Sequence, residues 1–269
     1  MSGTWTVTRT AVAPIHTFTA PEAGWLVTSH IVELPTQLLV VDAQYRLSCA
    51  REVARYANAL NKPVGRLYVT HYHPDHILGA EAFAAPVYAL QQVATKIDKV
   101  GDWVVREERA ILGDDAPDHA RRPDHQVREG DEIIDGVNIR HIPLTQAETE
   151  DALVIGLPDA RVIIVQDLVY NRAHVFLGEH NFDSWRAALR TYRDLPYDIV
   201  LPGHGLPGGN TLYDQMIAYL DFGREALRAS VASAEFVGKL EAQFPGYGCH
   251  KVLHHQLRFL FPGEVAAYA

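Results

Sequence analysis

The sequence predicts an α/β fold in which two β-sheets pack together with helices outside. Short apolar runs of strand length alternate with helix-period stretches. The chain reads as two similar halves, strands first and helices after, with no low-complexity linker between them. Histidine and aspartate, side chains that can hold metals, stand where predicted strands end, and ligand sites in layered α/β proteins favour such places.

Residues 31–34 and, after Pro35, the apolar run 37–41 read as strands, the second short enough to be fully buried. Ser48 reads as a helix N-cap, followed by Val53, Tyr56, Ala57 and Leu60 at helical spacing, and Lys62-Pro63 ends that helix. Residues 66–70 form a strand that runs into a histidine cluster. Helical character resumes at 79–83, a strand follows at 87–89, and about 91–111 reads as a long helix. The polar stretch 114–123 is expected to be a lid or a solvated connection.

A second group of strands is expected from near Gln126. Asp135-Gly136 marks a hairpin between 132–134 and 137–140. A second hairpin turns at 158–160 between 153–157 and 162–165. Trp185, Leu189, Tyr192 and Leu195 make one helical stripe. The strand 198–201 leads into Pro202-Gly203-His204-Gly205, and from about Thr211 the chain is mainly helical.

The 269 residues are 48% hydrophobic and 21% charged, with a net charge of −9 and no basic run. A phosphate backbone requires a Lys/Arg surface, so nucleic acid is disfavoured as a partner. No apolar run approaches the ~20 residues of a membrane span, and the N-terminus lacks a secretory pattern. The expectation is a soluble, cytoplasmic protein acting on a small molecule, with a homodimer possible. Cys49 and Cys249 are expected to be unpaired thiols.

The chemistry concentrates in His71-Tyr72-His73-Pro74-Asp75-His76. Imidazole and carboxylate suit zinc, and also iron or manganese. On an extended turn residues 71 and 73 project to one side. Asp75 and His76 lie beyond Pro74, where the chain has turned, and can face a second ion.

With Thr70 before it, this stretch resembles the His-x-His-x-Asp-His signature of the metallo-β-lactamase superfamily, which includes glyoxalase II-type thioesterases, lactonases and sulfur dioxygenases. Gln166-Asp167-Leu168-Val169 resembles the strand-end Gly-Asp motif whose aspartate bridges two metals. Pro202-Gly203-His204-Gly205 is similar to the motif that delivers the last histidine, and Leu39-Val40-Val41-Asp42 to the early strand whose aspartate supports the cluster. The resemblance spans roughly residues 25 to 210. It implies an αββα sandwich of two mixed β-sheets flanked by helices, one domain over residues 1–269 with a helical extension from about 211. It also implies a dinuclear zinc site of His71, His73, Asp75, His76, Asp167 and His204, with Asp42 orienting ligands.

One residue departs from the pattern. Where the family places a histidine, ungapped placement puts Glu148, and His141 does not fit the turn. Glu148 can be a carboxylate ligand beside His71 and His73, since two histidines and a carboxylate form an accepted zinc set. Alternatively the first metal position is weak or empty, or activity has been lost. The expected function is a metallo-hydrolase in which a metal-activated hydroxide, oriented by Asp75, cleaves an ester, lactone, thioester or lactam carbonyl. An iron-dependent sulfur dioxygenase and a non-catalytic binding protein are the alternatives.

Overall fold

A computed structural model describes residues 2–264; Met1 and residues 265–269, the ends of the expected 1–269 domain, lie outside the described residues. The first sheet runs β1 (Thr4–Thr8), β2 (Ile15–Thr19), β3 (Thr28–Glu33), β4 (Leu38–Val41), β5 (Val64–Tyr68), β6 (Val87–Leu90), β7 (His125–Val127), in that spatial order. The second contains β8 (Gly130–Ile134), β9 (Val137–Thr145), β10 (Asp151–Leu157), β11 (Val162–Tyr170) and β12 (Ile199–His204), also in chain order. The helices are α1 (Leu47–Ala59), α2 (Pro74–Ile77), α3 (Gln91–Leu112), α4 (Phe182–Arg193), α5 (Thr211–Arg228), α6 (Ser233–Gln243), α7 (His250–His255) and α8 (Leu257–Leu260).

Connection length decides strand direction. Strands β1 to β4 follow one another through short links and pair antiparallel. From β4 to β7 every pair is parallel, with α1, then α2, then α3 in the crossovers, because parallel neighbours need a long return path. The second sheet repeats the logic: β8 to β11 are antiparallel, and α4 carries the chain to parallel β12. Helix α3 lies on β6 and β7, while α4 and α5 lie on β11. Covered strands such as β4 and β11 are buried along their whole length, whereas β9 alternates buried and accessible positions. The two sheets meet at their strand ends, where Val27 bridges to His204 and the Leu153 amide donates to the Thr70 carbonyl (2.9 Å).

Three expectations change. The strand near Gln126 is β7 and belongs to the first sheet, because it pairs with β6; the second sheet begins at Gly130. Ser48 is not the N-cap. It lies inside the first turn of α1, and its amide and hydroxyl both donate to Asp115, 67 residues away (2.7 and 2.9 Å). The 114–123 stretch is neither a lid nor freely solvated: Ala116 and Ala120 are buried, and Arg109 donates to the carbonyls of Ala116 and Pro117. Both cysteines are buried and unpaired. No helix among the described residues is long and apolar enough to cross a membrane.

Asp115 supplies α1 with the cap its own sequence lacks. Asp115→Ala should lower unfolding stability by about 1 kcal/mol, the usual loss for a removed cap. The check is a lower denaturant midpoint with an unchanged denaturant slope; an unchanged midpoint would contradict the capping role.

Candidate metal centre

The site forms where the ends of β4, β5, β11 and β12 meet the β9–β10 hairpin. Leaving β5, the chain is extended at His73 and enters α2 at Pro74, whose fixed φ suits a first helical position. His71 and His73 therefore lie before the turn, and Asp75 and His76 within it. The hairpin is tightened by bonds from Gln146 N to Glu150 O and from Ala147 N to Thr149 O (2.9 and 3.1 Å), which hold Glu148 at its tip. Asp167 lies within β11, where the pairing to β12 shifts register. Gly203 passes so close that a β-carbon there would collide with the carboxylate and amide of Asp167.

Two groups of four donor residues result, each with all its donor atoms within 4.8 Å of one another: His71, His73, Glu148 and Asp167, and Asp75, His76, Asp167 and His204; a third, smaller group is Asp42, His71 and His76. Asp167 belongs to both. In the first, His71 Nε2 lies 3.7 Å from Glu148 Oε2 and 3.8 Å from Asp167 Oδ2, and His73 Nδ1 lies 3.1 Å from Glu148 Oε1. In the second, His76 Nε2 lies 3.4 Å from Asp75 and 3.2 Å from Asp167, and His204 Nε2 lies 3.1 and 3.3 Å from the same two carboxylates.

The surroundings fix which nitrogen faces inward. Asp42 accepts the His76 Nδ1–H (2.7 Å), the Thr70 amide (2.8 Å) and hydroxyl (2.7 Å), and the side-chain amide of Gln166. With its proton given to Asp42, the Thr70 oxygen accepts from His71 Nδ1–H (3.1 Å). The Trp25 carbonyl accepts from His204 Nδ1–H (2.7 Å). Each of these rings thus turns Nε2 toward the cluster, the usual arrangement of supported metal-binding imidazoles. His71 Nε2, His76 Nε2, both Glu148 oxygens and Asp167 Oδ1 are buried and make no well-formed hydrogen bond, only the close imidazole–carboxylate contacts within the cluster. Native interiors rarely leave so many polar atoms orphaned.

Without an ion the groups neutralise one another. Burial disfavours the cation of His73, but the charge of Glu148 outweighs it and raises the imidazole to about 10. Burial pushes Glu148 up to about 7 despite His73. Burial is overcome again at His76 and His204, held well above their ordinary value mainly by Asp167, while Asp75 and Asp167 are held low, chiefly by His76. Burial and the positive charge of His76 push His71 well down.

A cleft of about 240 Å³ opens over the cluster, with Trp25, Tyr72, Trp103, Phe176 and Phe259 among its lining. The C-terminal helices supply part of its wall through Val252, His255, Arg258 and Phe259. The segment between Asp167 and α4 contributes Phe176 and Glu179, whereas His174 is turned away onto Tyr219 (3.0 Å) and His180 does not reach the cleft. His141 lies apart, beside Tyr68. Sequence reasoning missed Tyr170, whose hydroxyl donates to Asp167 Oδ2 (2.7 Å) and whose ring stacks on His204. Its position three residues after Asp167 was the available signal. It also missed Gln166 and the Trp25 carbonyl; the latter, being backbone, leaves no mark in a sequence.

Fold and cluster together define an α/β sandwich protein whose buried imidazole and carboxylate groups can hold metal ions. Residues 23–204 match the family model of the metallo-beta-lactamase superfamily, and the chain belongs to that superfamily. It is 28% identical over 219 residues to a linear primary-alkylsulfatase from a Pseudomonas species, a match covering 66% of this chain and 41% of that protein. The chain thus spans less than half of that curated relative. Among solved structures it resembles a metallo-beta-lactamase from Pontibacter korlensis (TM-score 0.65, 21% identity, 81% of this chain and 99% of that one). The mono-zinc form of the FIM-1 metallo-beta-lactamase from Pseudomonas aeruginosa is also similar (TM-score 0.61, 18% identity, 82% and 96%).

Two predictions follow from the electrostatics. Asp42→Asn places an amide where several donors converge, and should destabilise the protein by about 1–3 kcal/mol, the cost of an unsatisfied buried polar group; denaturant unfolding measures it. In chelator-treated protein, folded His73 keeps its proton to about 10, while an unfolded histidine releases it near 6.5. The folded state then binds more protons across that window, so stability should fall as pH rises from about 6.5 to about 10. Unfolding midpoints that stay flat or rise over the same interval would contradict this.

Proposed function

We propose that this chain is a metal-dependent hydrolase that cleaves an ester-type carbonyl bond (ester, lactone, thioester or lactam) in a small molecule. His71, His73 and Glu148 would hold one divalent ion, zinc in the first instance, and Asp75, His76 and His204 a second, with Asp167 between them. The observation that carries this reading is the set of buried donor atoms left without well-formed hydrogen bonds. Their spacing fits as well. Four donors each about 2.1 Å from a tetrahedral ion stand about 3.4 Å apart; seven imidazole–carboxylate contacts in the two groups run from 3.1 to 3.8 Å, and all donor atoms within each group lie within 4.8 Å of one another.

Such ions supply Lewis acidity and bring the pKa of water from ~15.7 toward ~7, so that a nucleophile exists at neutral pH. The protein supplies the rest. Asp75, whose Oδ2 faces both His76 and His204, orients the attacking water. Glu148 in place of histidine adds negative charge to the first group, which makes an ion held there a weaker Lewis acid. Tyr170 and Thr70 hold Asp167 and His71 in place through their hydroxyls. The aromatic lining of the cleft favours an apolar substrate body and excludes bulk water, which strengthens every charge interaction within.

The alkylsulfatase relative favours a second reading, in which the bond cleaved is the sulfate ester of an alcohol. The same donors and the same water would serve, with sulfur in place of carbon as the centre attacked. Oxygenation of a sulfur substrate and a purely non-catalytic role gain no comparable support.

Elemental analysis of protein purified without added metal should find two ions per chain, falling to about one in Glu148→Ala. Equal metal content in the two proteins would overturn the assignment of Glu148 as a ligand. The wild type, assayed on a panel of carboxylic esters, lactones and alkyl sulfates, should lose all hydrolysis on chelation and regain it with zinc. Release of inorganic sulfate without carboxylic ester cleavage would select the second reading.

A further inference from the structure

A second cavity, of about 460 Å³, lies behind one wall of the metal cleft. Trp25, His255 and Arg258 line both spaces and form the partition between them. The partition is built around a buried carboxylate: Glu108 accepts the Tyr45 hydroxyl (2.6 Å), and Arg258 lies 3.6 Å away while also donating to His255 (2.7 Å). The volume falls within the roughly 300–1,000 Å³ typical of small-ligand sites.

The two spaces differ in charge. The metal cleft is lined by six carboxylates and a single guanidinium. The second cavity is lined by Arg46, Lys251 and Arg258 against one carboxylate, Glu264, which is turned onto the Ser233 amide (3.1 and 3.2 Å). Arg46 is paired with Asp115 (2.9 Å), whereas Lys251 is exposed and makes no ion pair among the described residues. Two donors at this cavity also lack acceptors: the hydroxyl of Ser233, a residue only 1% exposed, and Nε of Arg258. Apart from the imidazoles of His254 and His255 the rest of the lining is apolar, with Trp25, Tyr45, Leu112 and Leu257 buried and Ile111, 64% exposed, at the mouth. An apolar space with an unpaired ammonium and unfilled donors is complementary to a molecule with an aliphatic body and an anionic head.

We propose that this cavity is a separate binding site for a medium-chain aliphatic carboxylate. The chain lies over Trp25, Tyr45 and Leu257, and the carboxylate accepts from Lys251, Ser233 and Arg258. The site takes its ligand without using the metal cleft's donors, although that ligand rests on Trp25, the residue whose carbonyl orients His204.

Titration calorimetry of the full chain with sodium octanoate, 1-octanol and octylammonium chloride tests this, on metal-replete and chelator-treated protein. Octanoate should bind one to one, at least about tenfold more tightly than the alcohol or the amine, the scale of one partly exposed charge contact. Lys251→Glu should remove that preference and leave octanol binding unchanged. Ile111→Asp should weaken octanoate and octanol alike, and chelation should leave the octanoate affinity unchanged. Loss of octanoate binding on chelation would place the ligand on the metals and overturn the proposal. So would octanoate affinity that neither substitution alters. A chain that held no metal and hydrolysed nothing would defeat the hydrolase reading and leave this result standing.

Discussion

The structure is organised around buried charge that cannot reach water. Asp42, Asp75, Glu148 and Asp167 are all buried, packed against the imidazoles of His71, His73, His76 and His204. Carboxylates in such a place are tolerable only when paired and hydrogen-bonded. In the metal-free protein the pairing comes from protonated histidines, which is why three of the four are held above their ordinary value. The arrangement is balanced by protons that divalent ions would displace. The surrounding scaffold orients the rings of His71, His76 and His204 by occupying the outer nitrogen of each. The orientation of those three rings is therefore set by Asp42, Thr70 and Trp25 rather than by the cluster itself.

Holding those supports in place costs backbone strain. Trp25, Leu26, Asp42, Gln44 and Gln166 all have positive φ, a region that side chains other than glycine seldom occupy and that persists where neighbours over-determine it. Gln166 shows what the strain secures. Its amide donates to Asp42, and its carbonyl oxygen accepts from His30 (3.1 Å), whose other nitrogen meets Thr17 (2.9 Å). Burial pushes His30 down to about 4, so that ring is neutral and can donate at one nitrogen while accepting at the other. A glycine, as in the Gly-Asp motif that this segment resembles, would relieve the backbone and break the link between His30 and Asp42.

This explains what could and could not be read from the chain. Spacing around Pro74 revealed how His71 and His73 separate from Asp75 and His76, because that separation is a property of a few consecutive bonds. Asp135-Gly136 revealed its hairpin for the same reason. Glu148 was found by alignment with a pattern it breaks, and the structure brings it beside His71 and His73. What stayed hidden depends on residues far apart: the Asp115 cap of α1, the pairing of β7 with β6, and the C-terminal wall of the cleft. Positive φ at Gln166 and Asp42 was also invisible, since neither residue is a glycine that would have announced it.

One turn joins these distant parts. Glu22 accepts the amides of Cys249 and His250 (3.0 and 2.9 Å) at the start of α7, across more than 220 residues of chain. Three residues after Glu22, the Trp25 carbonyl accepts from His204 and also from the Cys249 thiol, which burial keeps protonated and therefore able to donate. Cys249 itself has φ +62, a conformation its two bonds to this turn hold in place. The same short segment therefore orients a histidine of the cluster and fixes the helix that walls the cleft. A shift of α7 reaches His204 through the Trp25 carbonyl and through the Cys249 thiol, which itself lies 3.8 Å from His204 Nδ1, so the shape of the cleft and the geometry of the candidate metal centre are coupled.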